Sequence, residues 1–385
     1  MRVLHVTVEY PPVIYGGLGT AVGGVVQASI GDGLEVTVLL VRDGSGAGYG
    51  GVPPVENASE VVAIGGPRVV TVGWAEAASV AVELTRAWGP HVLHLHVFWL
   101  WPLVDAVRRQ TGVPVVYTVH SLDRAEYEIG EGPPECLTQW DLQAATIGGA
   151  DRVIALTTSE RTLVSMYCPD ATPRVRVVGN GITINRIVRR SSSHAAPLVL
   201  FSGRFVDRKG IRDLLAAIPT VLTAAPTTCF ALAGGARGQT AAQMDRWWRP
   251  CGLERDPRVT FTGWLDAEEM AVWYGKADIL VVPSWYEPFG MVVLEGMLHG
   301  LAIAAANVGG PSEILVDGVT GRLFPPRDVP ALGQVLIELA GSRSVRRRLG
   351  RQARLEVARS WTWPRVLRTL RGFYHELTPM ERSAA

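Results

Sequence analysis

Two glutamates close together in the last third of the chain carry the first chemical signal. In residues 283 to 300, PSWYEPFGMVVLEGMLHG, seven residues separate Glu287 from Glu295. Met291, Val292, Val293, Leu294, Met297 and Leu298 leave almost no polar surface, so a helix opening near Gly290 is buried and Glu295 inside it needs hydrogen-bonding partners. Ribose hydroxyls are natural ones, while Glu287 falls in the loop at the helix mouth. The helix start also offers free N–H groups and the positive end of its dipole to a phosphate, with Gly290 permitting close approach. The bland alternative makes Glu287 a loop carboxylate and Glu295 a satisfied core glutamate.

A second constellation lies in residues 201 to 211, FSGRFVDRKGI. Arg204 can fork onto phosphate oxygens and Lys209 can add a point charge, which suits a pyrophosphate leaving group. Lys209 and Lys276 are the only lysines among the 37 Lys plus Arg, so an ammonium at either position is informative. Two solvated basic residues near a turn would explain the motif equally well, were it alone. His120 closes the run VVYTV and would face a cleft. His94 and His96 alternate on one strand without a third metal ligand in view, and Phe98, Trp99 and Trp101 suit core packing better than sugar stacking.

The loop EYPPVIYGGLGTAVGG, residues 9 to 24, supports a rival reading. Gly17-Leu18-Gly19 with Gly23 loosely imitates a dinucleotide fingerprint, and Asp43 could mimic its ribose-binding acid. A true fingerprint turns directly from strand to helix. Here Pro11-Pro12 and further residues intervene and the glycine spacing differs, which argues against a nicotinamide enzyme. The Arg-rich segment 342 to 360 reads as a helix with a solvated face; without interleaved aromatics it does not point to nucleic acid.

These residues need strand ends and helix starts to hold them. Val/Ile/Leu-rich runs at 2–8, 35–41, 91–97, 113–119, 151–157 and 174–179 alternate with segments of helical spacing, then 186–197 breaks the pattern with charge, Ser and Pro. Further runs follow at 198–204, 229–235, 258–264, 278–283 and 302–307. The expected fold class is α/β, two doubly wound Rossmann-like domains facing across a cleft. Their bounds are 1–187 on the acceptor side and 188–360 on the nucleotide-sugar side, with a C-terminal helix at about 361–378 that can pack back on the first.

Composition agrees. A chain of 385 residues, 48% hydrophobic and 19% charged, can bury two cores, and a net charge of +1 recruits neither nucleic acid nor an anionic membrane. Cys136, Cys168, Cys229 and Cys251 show no paired or zinc-like spacing and read as reduced core thiols. The opening MRVLHVTV reads as a strand rather than a signal peptide, and no apolar run approaches a membrane span, so the expectation is a cytoplasmic protein.

The ensemble resembles the family 4 retaining glycosyltransferases of GT-B fold, the group 1 glycosyl transferases that include glycogen and sucrose synthases. The resemblance runs through EYPPVIYGGLG, TVH, NGI, GR-x4-KG, EPFG-x4-E, VGGPSEI and DGVTGRLFPP. It implies a retaining, metal-independent transfer of a hexose-type sugar from a nucleoside diphosphate sugar, UDP favoured and GDP next, to an unidentified acceptor hydroxyl. No resident cofactor and no metal ligands are implied. Glu295 would hold the ribose, Glu287 with the Phe289, Gly290, Met291 and Val292 backbone would hold the donor sugar and distal phosphate, and Arg204 and Lys209 would bind the diphosphate. Gly17 would close the phosphate pocket and His120 would sit over the anomeric carbon. The sequence holds no Asp-x-Asp motif, so charge on the leaving group would fall to Arg204, Lys209 and the helix start. Two departures stand out: the family's NGID reads Asn180-Gly181-Ile182-Thr183, and Tyr15 replaces the lysine that glycogen synthases place before Gly-Gly. The opening loop therefore gives no support to glucan synthesis. A GT-B sugar-nucleotide epimerase or hydrolase is the alternative.

Overall fold

The computed structural model describes residues 1–12, 14, 16–42, 59–62, 66–130, 135–184, 196–235, 247–253 and 255–378. Backbone packing divides the chain into two units, Met1–Gly181 joined by the segment from Trp363 onward, and Ile182–Thr362. Most of the break expected at 186–197 lies outside the described residues, as do Asp43 and Tyr15.

The first unit holds an eight-stranded sheet. Its strands are β1 Arg2–Thr7, β2 Glu35–Arg42, β3 Ser59–Val62, β4 Arg68–Gly73, β5 Val92–Leu95, β6 Val115–Val119, β7 Arg152–Ala155 and β8 Val175–Val177. They lie in the order β3-β4-β2-β1-β5-β6-β7-β8, all parallel except β3 against β4. β3 and β4 escape a reading of periodicity because Gly and Pro crowd residues 45 to 67. The inner strands are buried along nearly their whole length, as expected where helices cover both faces. The C-terminal helix Trp363–His375 returns to this unit, where Trp363, Leu367, Leu370, Phe373 and Tyr374 join the core beside Val22, Val25 and Val26 of the first helix. Gly24 explains the closeness: a Cβ there would lie 2.1 Å from the Trp363 ring.

The second unit carries β9 Leu198–Gly203, β10 Cys229–Gly234, β11 Val259–Gly263, β12 Ile279–Val282, β13 Ala302–Ala306 and β14 Arg322–Phe324. This sheet is parallel throughout, in the order β11-β10-β9-β12-β13-β14. β13 reads AIAAA and is fully buried; burial between neighbours outweighs alanine's weak strand preference.

Two details depart from expectation. Cys168, Cys229 and Cys251 are half-buried rather than core thiols. In the Arg-rich helix Arg343–Ser360, Arg346 is buried and its guanidinium donates to the carbonyls of Leu339 and Ala340, closing the preceding helix. Among the described residues no helix is long and apolar enough to cross a membrane.

Candidate functional site

In an open parallel sheet, ligands bind beyond the carboxyl ends of the strands, where the strand order reverses direction. In the second unit that point lies between β9 and β12. Both motifs of this unit sit there: GR-x4-KG follows β9, and PSWYEPFG follows β12.

The two loops are locked together by backbone contacts. Trp285 N–H donates to the Arg208 carbonyl at 2.8 Å. Gly210, at φ +68°, packs so close that a Cβ would stand 1.9 Å from the Pro283 oxygen. The lysine is therefore followed by glycine because no other residue fits against the end of the neighbouring strand. A second brace comes from the helix Gly309–Ile314: Gly310 N–H donates to the Glu287 carbonyl at 2.9 Å, and a Cβ on Gly310 would overlap the Phe289 oxygen at 1.7 Å. VGGPSEI thus supports the glutamate loop from outside.

Inside this frame Lys209 Nζ donates to Glu287 Oε2 at 2.6 Å, and Ser284 Oγ donates to the same oxygen at 3.2 Å. Glu287 is only 8% exposed. Burial pushes its carboxyl up, yet the charge and hydrogen bond of Lys209, with Arg208 and Ser284, outweigh that and hold it below the usual range. Burial also draws Lys209 down, against the pull of Glu287 and with help from Arg208 and Arg204. The direction we adopt is an ionised pair, since a neutral pair would forfeit the short bond. An ammonium has three donors, so Lys209 can hold Glu287 and an oxyanion at once. Arg204 is exposed beside it, and Arg208, which sequence reasoning passed over, is buried.

The helix Met291–Leu298 opens where expected, with Gly290 at φ +94° as its N-cap and no side chain satisfying its first amides. Phe289, Gly290 and Met291 are buried and Val292 partly so. Glu295 lies within it, half-buried, and accepts from Tyr274 Oη at 2.6 Å. Tyr274, in the helix Ala267–Lys276, is thus a partner not anticipated from the sequence. Burial raises the Glu295 carboxyl and the tyrosine bond lowers it by less. Lys276 lies over the Trp273 ring instead of joining the site.

The first unit reverses strand order between β1 and β5. The same tripeptide, Val-Leu-His, occurs on both strands and pairs in register: Val3 with Val92, Leu4 with Leu93, His5 with His94. His96 and His120 follow on the same side, past the ends of β5 and β6. His5 Nδ1 lies 2.9 Å from His96 Nε2, and His96 Nδ1 lies 3.2 Å from His120 Nε2. His94 contacts Tyr374 Oη at 2.6 Å and Thr118 Oγ1 at 2.7 Å. Burial pushes His5 down to about 3 and His120 down to about 4, and holds His94 and His96 well below the usual range, aided by the neighbouring imidazoles. The third histidine that the sequence did not bring to His94 and His96 is His5, and one ring nitrogen of each lies within 4.8 Å of the other two. A pocket lined by His94, His96, Thr118 and His120 lies beside these rings.

Gly17 opens the helix Gly17–Gly31. Two residues on, Gly19 N–H donates to Glu9 Oε2 at 3.3 Å, so a buried carboxylate of the chain itself stands at this helix start. Gly23 packs on Pro11, where a Cβ would meet the ring at 2.7 Å. Gly19 and Gly23 serve close packing, which removes the main support for a dinucleotide fingerprint.

Comparison with known proteins gives the family and the fold. Residues 16–181 match the glycosyl transferase 4-like domain, and residues 196–342 match the glycosyl transferases group 1. D-inositol 3-phosphate glycosyltransferase of Frankia alni is 32% identical over 75% of this chain and 75% of its own. The chain belongs to the family 4-like glycosyltransferases. Glycogen synthase of Mycobacterium tuberculosis is 28% identical over 95% of this chain and 92% of its own. Among solved structures, sucrose-phosphate synthase of Thermosynechococcus elongatus superposes with a TM-score of 0.81 at 23% identity, covering 98% of this glycosyltransferase and 99% of that chain. The fold is GT-B, two Rossmann-like domains.

Proposed function

We propose that this glycosyltransferase moves a hexose-type sugar from a nucleoside diphosphate sugar, UDP-sugar foremost, to an acceptor hydroxyl, with retention at the anomeric carbon and without a metal. The observation that supports it best is the Lys209–Glu287 pair, 2.6 Å long, at the mouth of an uncapped buried helix. A lysine already committed to one carboxylate keeps two donors for the departing phosphate, and the helix amides add partial positive charge where the diphosphate would gain negative charge. Glu287 then accepts from sugar hydroxyls as an ionised group, and Glu295 accepts from the ribose beside Tyr274.

In the proposed reaction the acceptor oxygen bonds to the anomeric carbon on the face from which the diphosphate leaves, and a leaving phosphate oxygen takes the acceptor's proton. Arg204, Lys209 and the helix start would neutralise the charge that a metal carries elsewhere. A neighbour in the fold, an Anabaena protein solved in complex with UDP and glucose, makes UDP-glucose a sensible first donor.

The test is turnover of α-linked UDP-sugars in excess EDTA, with D-inositol 3-phosphate and an α-glucan among the acceptors and proton NMR of the product. Retention predicts an α-linked product at undiminished rate. A β-linked product, or activity lost in EDTA and restored by magnesium, would refute the mechanism. Donor consumption with no acceptor present would identify an epimerase or hydrolase instead.

A further inference from the structure

The histidines at the switch point of the first unit are more numerous than one reacting group requires. Three of them, His5, His94 and His96, are buried, and among the described residues no ionised side chain is hydrogen-bonded to any of the four rings. A shared metal ion is the obvious occupant, but the geometry opposes it. Two nitrogens on one tetrahedral ion would stand roughly 3.3 Å apart, given metal–nitrogen bonds of about 2.0–2.1 Å. The His5–His96 separation is 2.9 Å, with the ring planes 11° apart and the centroids at 5.2 Å. The excess of centroid over nitrogen separation means that the bond runs outward along both rings, the arrangement of a hydrogen bond. His94 has both nitrogens engaged, by Tyr374 and Thr118, and stacks on His96 with centroids 4.2 Å apart.

A neutral imidazole has one N–H and one lone pair, so a chain of three rings can run in only two directions. If His120 donated inward, His96 would donate from Nε2 to His5 Nδ1, and the proton of His5 would sit on Nε2. That nitrogen is buried and has no hydrogen-bond partner among the described residues. In the opposite direction His5 Nδ1–H donates to His96 Nε2, His96 Nδ1–H donates to His120 Nε2, and the orphan is a lone pair. A buried N–H without an acceptor is the costlier of the two, which selects the outward direction.

We infer that His5 and His96 are positioning residues that fix His120 as the Nδ1–H tautomer, so that it presents a hydrogen-bond donor, and no basic lone pair, at the ligand side of the first unit. His120 then holds a substrate hydroxyl or oxyanion and does not act as a general base. The kinetic consequence rests on the reading of His120 as a residue at the donor sugar. The tautomer itself does not.

The experiment is nitrogen-15 solid-state NMR of the full-length protein labelled at histidine, with His120 assigned by comparison with His120→Asn. Protons on Nδ1 of His5, His96 and His120 are expected. A proton on Nε2 of His120 in the wild-type protein overturns the proposal whatever the enzyme transfers. Two variants then link tautomer to rate. His5→Leu removes the first donor and should lower kcat about tenfold with donor KM little changed, the scale of one lost hydrogen bond. His5→Asn places an amide N–H near the position of Nδ1 and should recover most of that loss together with the His120 signal. Equal impairment in both, or an unchanged His120 tautomer in His5→Leu, shows that His5 acts only structurally. Stoichiometric zinc binding that displaces the His5, His94 and His96 signals would show a metal site in place of the relay. An inactive wild-type enzyme with the expected tautomers would refute the proposed reaction and leave the relay standing.

Discussion

The two switch points meet the same demand by opposite means. Each unit must keep polar side chains beyond the ends of buried parallel strands, where desolvation penalises charge. In the second unit the solution is an ionised pair, Lys209 on Glu287, surrounded by donors that hold the carboxylate charged. In the first it is a run of neutral imidazoles, His5, His96 and His120, linked nitrogen to nitrogen. Under the proposed reaction, charge in the second unit would answer the fixed negative charge of a diphosphate, and neutral donors in the first would avoid a standing charge that stabilises ground and transition states alike.

Acid should break this symmetry first and most strongly. His5 titrates at about 3 in the folded protein and 6.5 in an unfolded chain, so the unfolded state binds more protons between those values and stability falls as pH drops below about 6.5. His5 alone then contributes a loss of about 2 kcal/mol by pH 5, and His94 and His96, also buried and held low, shift stability in the same direction. Glu287 is depressed below 4.5, so its contribution is lost only as pH falls through that lower value. Hydrogen exchange at pH 5, corrected for intrinsic rates, should show β1, β5 and β6 opening before β9 and β12. Simultaneous opening of both sheets would mean that the histidine face is not the acid-labile part.

Much of the second unit's site was legible in the sequence because its motifs announce their partners by type: a rare lysine, a glutamate pair, glycines at loop ends. Arg204, Lys209, Glu287, Gly290 and Glu295 all lie at the β9–β12 reversal. The lock between them was not legible, because the contact between Gly210 and Pro283 joins residues distant in the chain. Tyr274 was missed for the same reason: it lies in the helix Ala267–Lys276, 21 residues before Glu295. In the first unit His5 looked like one polar residue in a strand. Only the register of β1 on β5, which places it against His94, makes it part of a cluster. The repeated Val-Leu-His was the available signal, and periodicity alone gave no reason to align the two strands.

The next largest effect separates pairing from catalysis in the second unit. Lys209→Met leaves Glu287 buried without its cation, at a cost of about 3–5 kcal/mol in stability and a fall in kcat of about 10²–10³. The double variant Lys209→Met/Glu287→Gln removes the orphaned charge and should recover most of the stability in urea unfolding while staying nearly inactive. Recovery of activity along with stability would reduce the pair to scaffolding, and the contrast between a charged and a neutral switch point would lose its functional meaning.

The smallest effect tests whether Glu295 belongs to the charged site or to the helix. Glu295→Gln keeps an oxygen that can accept from Tyr274 Oη, so the contact seen at 2.6 Å survives the change. What disappears is a negative charge that burial already disfavours, since the carboxyl is raised above its ordinary value. A raised acid contributes stability that is full below its unfolded value of 4.5 and is lost as pH rises through the folded one, so at pH 7 the glutamine variant should melt at the same temperature or slightly higher. Binding should move the other way: two ribose hydroxyls donating to a carboxylate lose about 1–3 kcal/mol when the acceptor becomes neutral. Calorimetry should therefore show UDP affinity reduced roughly tenfold to a hundredfold, with kcat at saturating donor little changed because ribose contacts are alike in ground and transition states. Unchanged UDP affinity would assign Glu295 to Tyr274 alone, leaving Lys209, Arg204 and the helix start to bind the nucleotide by its phosphates.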